Sequence, residues 1–310
     1  MELRVSNSDV EGHVDAPPSK SYTHRAVLAG GLADETRVVN PLRSADTRAS
    51  VRCTKGLGAE ITDDEGDLVV EGVEGEPEVP DDVLNCANSG TTLRLFAGAS
   101  SLADGTTVLT GDSSLRERPN GPLLDALESL GGRANSTRSN GRAPLVVEGR
   151  IDGGEVSIDG TVSSQFISSL LLATPPTEEG ARIEVVGGLK SRPYVEITLE
   201  VLDSFGVECE EDGEEFRLGG GQEYSVEGGE YRVPGDFSSA SYPLAAGGVA
   251  GGEVEVGNLY PSAQGDSVIV DVLDRMGADV SWDRESGVVT CPDCGWSSGG
   301  GDGGDDHSGE

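Results

Sequence analysis

The chain has 310 residues, 35% of them hydrophobic and 4% aromatic, with 46 glycines; that length suits two cores better than one. Its 56 acidic against 22 basic residues leave a net charge of −34, which excludes a general binder of nucleic acid phosphates. Such charge repels itself unless salt screens it. Only Lys20, Lys55 and Lys190 are lysines. Acid excess with Arg in place of Lys reads as a protein of a salt-loaded cytoplasm. An acidic disordered chain is excluded because short periodic apolar runs persist through most of the sequence.

The opening MELRVSNSDV lacks the basic-then-apolar pattern of a secretory signal. No apolar run approaches the roughly 20 residues that a membrane helix needs. A soluble, cytoplasmic chain without a membrane partner is expected. Further on, four segments share one grammar. Each has a strand, a loop, an amphipathic helix that ends at Gly, and a β-hairpin. The opening strands are predicted over 36–40, 106–111, 181–187 and 252–258. The helix ends TKGLGAEI, LESLGGRA, LDSFGVEC and LDRMGADV place Gly58, Gly131, Gly206 and Gly277 at spacings of 71–75 residues. Gly is the residue favoured for a left-handed cap after a helix. The hairpins end alike, over 67–72, 144–149, 215–220 and 287–292. Between the copies lie helices rich in Ala, Gly and Ser: SYTHRAVLAGGLA, SGTTLRLFAGASSLA, SSQFISSLLLATPP and SSASYPLAAGGVA. Small residues let such helices approach closely. The unit is a β-α-β-α-β-β module of about seventy residues, repeated four times.

The loops before these helices carry the chemistry. In APPSKSYTHRAVLAG, Pro17 and Pro18 keep the chain extended. Ser19 or Ser21 is placed to cap the helix, and Lys20, Ser21 and Arg25 gather at its start. A helix N-terminus with those side chains suits an anion; a solvated basic patch is the alternative. In NCANSGTTLRLFAG, Gly90 lets an anion approach backbone N–H groups beside Asn88, Ser89 and Thr91, with Arg94 one turn on. Arg116 and Arg118 precede Pro119, and Arg suits bidentate binding of carboxylate or phosphate. Ser163, Ser164 and Gln165 offer neutral donors at a helix start, and Lys190, Ser191, Arg192 and Tyr194 form a fifth polar loop. Each alone could be ordinary capping; five together predict one shared anion-lined cleft. Three histidines make a histidine-based metal or triad site unexpected, and His13 and His24 read as structural. Cys53, Cys86 and Cys209 read as reduced and buried.

In order and spacing, PSKSYTHRA, NSGTTLR, RERPNGPLLDAL, SSQFISSLLL, SRPYVEITLEVL, GDFSSASY and QGD resemble the motifs of enolpyruvylshikimate-phosphate synthases from about residue 10 to about 290. The resemblance implies an α/β fold of two lobes with substrates between them, each lobe built of three such modules; four of the six are present here. It divides the chain into 1–18 plus 235–290, an incomplete first lobe, and 19–234, the second. It implies transfer of the enolpyruvyl group of phosphoenolpyruvate to the 5-hydroxyl of shikimate 3-phosphate, with release of phosphate. The shikimate pathway to chorismate and the aromatic amino acids is then its place, without cofactor or metal and as a monomer. By resemblance Lys20 contacts both substrates and has a catalytic part. Ser21, Arg25, Ser163, Ser164, Ser191 and Tyr194 hold shikimate 3-phosphate, and Gln165 sits between the two substrates. Gly90 and Arg118 bind phosphoenolpyruvate, with Asn88 and Arg94 shaping that pocket. Asp266, in the Gln264-Gly265-Asp266 turn, matches the general base; an ordinary N-cap is the alternative. Asp236 reads as a cap or a hinge residue.

The family continues with two more modules carrying a Lys-Glu-x-x-Arg segment, an Asp-His-Arg segment and a late Lys, and none of these follows Thr290 here. Instead 291–310 reads as a disordered Gly/Asp/Ser tail. Its Cys291-Pro-Asp-Cys294 is half of a zinc ribbon at best, and a frame change or truncation is the other reading. A remnant that binds shikimate 3-phosphate alone is therefore the alternative function. A nucleotide-sugar enolpyruvyl transferase is a third, against which the Ser-Lys-Ser-x-x-x-Arg loop and the Ser-Ser-Gln motif argue.

Overall fold

The computed structural model describes residues 10–250 and 252–292. The first described element is strand β1 (Gly12–Asp15). A first module follows: α1 (Lys20–Leu32), β2 (Glu35–Val39), α2 (Ala45–Gly56), β3 (Glu60–Asp64) and β4 (Asp67–Glu71). The second holds β5 (Leu84–Asn85), α3 (Gly90–Ser100), β6 (Thr106–Thr110), α4 (Gly121–Ser129), β7 (Arg133–Ser136) and β8 (Leu145–Glu148). The third holds β9 (Gly154–Asp159), α5 (Ser164–Ala173), β10 (Ala181–Val186), α6 (Pro193–Ser204), β11 (Cys209–Asp212) and β12 (Glu215–Leu218). After β13 (Glu230–Arg232) come α7 (Phe237–Ala250), β14 (Val254–Gly257), α8 (Ile269–Arg275), β15 (Ser281–Asp283) and β16 (Val288–Cys291).

The amphipathic helices α2, α4, α6 and α8 stop as the sequence predicts. Gly58, Gly131, Gly206 and Gly277 take φ of +105°, +98°, +73° and +91°. In three cases the next N–H closes the helix by bonding back to a carbonyl of the last turn: Gly132 to Leu127, Val207 to Leu202 and Ala278 to Leu273. That is the left-handed cap that a side chain with a Cβ resists.

Among the described residues the strands form four four-stranded sheets of one design. The strands predicted over 36–40, 106–111, 181–187 and 252–258 are central, each flanked on one side by a parallel strand and on the other by the second and then the first arm of the hairpin. Within the second and third modules the flanking strands are local, β5 on β6 and β9 on β10. The other two flanking strands come from far along the chain. β13 pairs with β2, Tyr231 opposite Val38, and β1 pairs with β14, Val14 opposite Val256. The modules are thus not four contiguous copies; two of them exchange their first strands.

Two compact units result. Unit 2 comprises 17–236 and 261–265, and the described part of unit 1 comprises 10–16, 237–250, 252–260 and 266–292. The uninterrupted stretch expected over 235–290 is therefore broken, because 261–265 packs in unit 2. Cys291, the first residue of the expected tail, belongs to a strand instead. Cys291 ends β16, is buried, and its thiol donates to Leu244 O. Cys294 and the rest of that expected tail lie outside the described residues.

Unit 2 has one core, built on α1, α3 and α5. Eleven of the thirteen residues of α1 are buried. Small residues make this packing possible. A Cβ on Gly31 would lie 2.3 Å from Thr54 Cγ2 of α2, and one on Gly98 would lie 2.5 Å from Ser169 Oγ of α5. Unit 1 has its own smaller core of Phe237, Leu244, Val254, Val256, Leu273 and Val289. Among the described residues no helix is long and apolar enough to cross a membrane.

Candidate functional site

Helix α1 begins at Lys20, with Ser19 in the cap position. The Ser19 hydroxyl does not cap the helix, and Ser21, the other candidate, lies inside it. The helices α3 and α5 differ: Ser89 accepts from the N–H of Thr92, and Ser163 from the N–H of Gln165. Helix α1 alone of these three therefore presents its first turn of N–H groups without a side-chain cap, a polarity that favours an anion. Lys20 Nζ stands 3.1 Å from Asp46 Oδ2, and both side chains are partly exposed. A pair of this kind contributes little to stability and exchanges readily for another anion.

Arg25 is 1% exposed. Its partners are all neutral: Thr198 Oγ1 at 2.7 Å, Ser21 O at 2.9 Å, Ser168 Oγ at 3.1 Å and Tyr194 O at 2.9 Å. Burial pulls its pKa from 12.5 down to about 10. A buried cation without a counter-charge is costly. It is the more notable because surface arginines such as Arg37, Arg43 and Arg182 do make carboxylate pairs. Thr198 and Ser168 carry no signal in the sequence; only the α1–α6 and α5–α6 packing shows them.

A second group gathers where α3 and α5 begin. Arg94 donates to Gln165 Oε1 at 2.6 Å, Ser163 Oγ at 3.2 Å, Asn120 Oδ1 at 3.3 Å and Pro119 O at 3.3 Å. Its guanidinium lies 5.1 Å from the centre of the Phe166 ring, a favourable cation–π distance. Burial, then the neighbouring Arg118, lowers its pKa to about 10. The side-chain amide of Gln165 donates to Thr91 Oγ1 at 2.9 Å. Arg118 donates to Asn88 Oδ1 at 2.8 Å, and Asn88 donates to Asp112 Oδ2 at 2.6 Å. That bond is the first cause holding the Asp112 carboxyl below its usual range. Gly90 leaves room for Arg118, since a Cβ there would sit 2.7 Å from Arg118 Nη1. The structure thus brings Asn88, Gly90, Arg94, Arg118, Ser163 and Gln165 together, and adds Asn120 and Asp112. Ser164, beside them, is buried at the first position of α5.

The 187–194 loop contributes differently. Ser191 is exposed and takes φ +55°, uncommon for a residue with a Cβ. Tyr194 enters through its carbonyl, on Arg25, while its side chain is 45% exposed. Arg192 is engaged by Glu196 and Glu211. Lys190 is exposed.

Asp266 belongs to unit 1, in a short 3-10 turn. It is exposed, and its Oδ2 accepts from Ser238 Oγ of α7. A cavity of about 330 Å³ is lined by Ser238, Ser241, Asp266, Val268, Ile269 and Val272. Asp236 stands just before α7, and its N–H bonds to Pro17 O at 2.8 Å. Pro18 bridges Gly235 beside it.

Such a set holds anions by cations and N–H groups. Comparison with known proteins agrees with that chemistry. Residues 5–295 match the family model described as EPSP synthase (3-phosphoshikimate 1-carboxyvinyltransferase). A 3-phosphoshikimate 1-carboxyvinyltransferase of Halobacterium salinarum is 59% identical over 294 residues, 94% of this chain and 68% of that protein. One from Halorubrum lacusprofundi is 54% identical over 312 residues, 94% of this chain and 69% of that protein. The solved EPSP synthase of Acinetobacter baumannii matches with a TM-score of 0.81 and 25% identity, over 93% of this chain and 65% of that chain. This chain spans about two thirds of the length of the relatives it matches.

Proposed function

The chain belongs to the EPSP synthase family, and we propose that it transfers the enolpyruvyl group of phosphoenolpyruvate to the 5-hydroxyl of shikimate 3-phosphate, releasing phosphate. The observation that carries this reading is Arg25, a buried guanidinium with no carboxylate partner among the described residues, in a chain of charge −34. A phosphate dianion at the uncapped start of α1 supplies the missing counter-charge to Arg25 and takes the place of Asp46 on Lys20. Ser21, Ser163, Ser164, Ser191 and Tyr194 complete that site, and Gln165 reaches both substrates. Arg118 and Arg94, with Asn88 and the open backbone at Gly90, take the carboxylate and phosphate of phosphoenolpyruvate.

In the reaction the 5-hydroxyl attacks C2 of phosphoenolpyruvate and C3 gains a proton. Asp266 takes the hydroxyl proton as general base. The tetrahedral adduct then loses phosphate and a C3 proton to restore the double bond. Lys20 and the arginines stabilise the charge on the departing phosphate. The two lobes follow the two units, and the protein works as a monomer in a salt-loaded cytoplasm; the acidic surface and the Halobacterium relative support that setting.

The test is calorimetric titration in molar KCl, first with shikimate 3-phosphate and then with phosphoenolpyruvate, with phosphate release followed alongside. Binding with release is the expected result. Binding without release would leave the shikimate 3-phosphate site alone as the function of this chain. No binding would overturn the reading. Asp266→Asn should abolish turnover while leaving the fold intact; near-normal turnover removes it as the base. Arg118→Lys should weaken phosphoenolpyruvate more than shikimate 3-phosphate, and equal losses would undo that assignment.

A further inference from the structure

The Arg118 guanidinium has one hydrogen bond among the described residues, to Asn88 Oδ1 at 2.8 Å. Arg94 stands close enough for the two cations to repel, and Arg118 helps to lower the Arg94 pKa. Something must therefore hold this side chain against Gly90, where a Cβ would lie 2.7 Å from Arg118 Nη1.

Two loops of unit 2 build the holder. In the loop before α3, Ala87 takes φ +52°, uncommon for a residue with a Cβ. Its carbonyl accepts from the N–H of Asp112 at 2.8 Å. Gly111 permits that approach, since a Cβ there would strike Ala87 O. One residue on, the Asn88 amide donates to Asp112 Oδ2 at 2.6 Å. The other oxygen, Oδ1, accepts from the N–H of Leu115 at 2.8 Å and so caps the turn that leads to Arg118.

The two ends of this chain of bonds fix the amide between them. An ionised carboxylate only accepts, and a guanidinium only donates. The bond from Asn88 is the first cause keeping the Asp112 carboxyl below its usual range, and hence ionised. The NH2 of Asn88 must then face Asp112 and its carbonyl must face Arg118. A carboxylate placed directly on Arg118 would fill its fork and neutralise it. Through the amide, the guanidinium is held at one N–H and keeps its other donors and its charge for an incoming anion.

We propose that Asp112 is a positioning residue for Arg118: by orienting the Asn88 amide, it holds the guanidinium over Gly90 in place to receive phosphoenolpyruvate. Asp112 acts through Asn88 and needs no contact with substrate. This rests on the reading of Arg118 and Gly90 as ligands of phosphoenolpyruvate.

The test is calorimetry on the 310-residue chain in molar KCl, with phosphoenolpyruvate and shikimate 3-phosphate titrated separately. The members are the parent, Asp112→Asn, Asp112→Glu, Asn88→Ala and the double variant of Asp112→Asn with Asn88→Ala. Asp112→Asn should weaken phosphoenolpyruvate by up to about tenfold, the scale of a lost hydrogen bond to a charged group, and leave shikimate 3-phosphate as in the parent. Its new NH2 lets the Asn88 amide turn the wrong way. Removal of a negative charge beside an anion site would by itself tighten binding, so a loss reports on orientation. Asp112→Glu keeps an acceptor-only group and should bind phosphoenolpyruvate more tightly than Asp112→Asn does. A role in shape alone gives the reverse order, since Asn has the size of Asp. The double variant should bind no more weakly than Asn88→Ala alone, because Asp112 acts only through that amide. If Asp112→Asn does not fold, Asp112→Ser takes its place in the cycle, since Ser still caps the turn at Leu115 but is too short to reach Asn88. Parent-like affinity in the Asp112 variants, the reverse order, or losses that add to that of Asn88→Ala overturn the positioning role and leave Arg118 standing. Parent-like affinity for phosphoenolpyruvate in Arg118→Lys overturns the reading of Arg118 and this role with it, as does a parent chain that does not bind phosphoenolpyruvate.

Discussion

The two units use one module grammar and reach different degrees of burial. In unit 2, α1, α3 and α5 meet through Gly and Ser and hide nearly every side chain. In unit 1, α7 is just as apolar in sequence, yet Tyr242 is 79% and Val249 62% exposed. Val268 and Met276, flanking α8, are more than half exposed. The difference is one of copy number. Three modules close around their small-residue helices, whereas a single module buries only the face that lies on its own sheet. A module of this kind therefore depends on its neighbours for much of its stability.

The largest effect should separate the two units. Leu93→Ala on α3, where the side chain is 0% exposed, should cost ~2–5 kcal/mol in denaturant unfolding. Tyr242→Ala on α7 should stay within about 0.5 kcal/mol. A cost above about 1 kcal/mol for Tyr242→Ala would mean that this face of unit 1 is covered in solution, and the contrast fails. Next, Arg25→Met should weaken shikimate 3-phosphate by roughly 2–5 kcal/mol, the scale for a buried charge pair that loses one partner. Without ligand, the same change should leave the melting temperature unchanged or raise it, because an unpaired buried charge disappears. Ser168 and Thr198 still bond to each other at 2.7 Å. A large fall in the ligand-free melting temperature would show Arg25 to be a structural tie.

A smaller effect reports on unit 2 through His24. Its Nδ1 lies 2.7 Å from Ser50 Oγ, which continues to Thr92 Oγ1 at 2.9 Å. Nε2 is buried without a partner among the described residues. Burial, with Arg25 as a second cause, pulls the imidazole from 6.5 down to about 3. Between those values the unfolded chain binds a proton that folded His24 refuses. Stability should then fall as pH drops below 6.5, by up to about 1.4 kcal/mol per pH unit. His24→Gln should remove that slope between pH 6.5 and 5, above the range of most carboxylates; an unchanged acid limb refutes the assignment. The last change, Gly90→Ala, should be read in ligand affinity more than in stability. Helix propensity favours Ala by about 1 kcal/mol at most, but the new Cβ displaces the Arg118 guanidinium. Phosphoenolpyruvate should weaken by about tenfold and shikimate 3-phosphate hardly at all, as read by calorimetry.

How far the sequence could be read follows from the range of each interaction. The caps at Gly58, Gly131, Gly206 and Gly277 and the hairpins behind them are local, and they stand within a residue or two of where periodicity puts them. The loops at Lys20, Gly90, Arg118 and Ser163 were legible as anion chemistry because cations are scarce in this chain. The partners were not. Nothing near Arg25 in sequence points to Thr198 or Ser168, and nothing near Lys20 singles out Asp46 among 56 acids. Glu200 reads as one more surface acid on an amphipathic helix until Ala263 is seen against it. The short strands β1 and β13 were missed for the same reason, since what makes them strands lies more than 190 residues away.

Those exchanged strands set a timetable. As the chain is made, the sheet of β2, β4 and β3 forms early, but its β2 edge stays unpaired until Glu230–Arg232 emerges. Gly12–Asp15 waits longer still, since β1 finds its neighbour only in Val254–Gly257. Pairings so distant in sequence are slow to form, and open edges invite wrong partners. A ribosome-bound intermediate of the second and third modules, whose sheets are complete by Leu218, is the species in which protection from proteolysis should first appear.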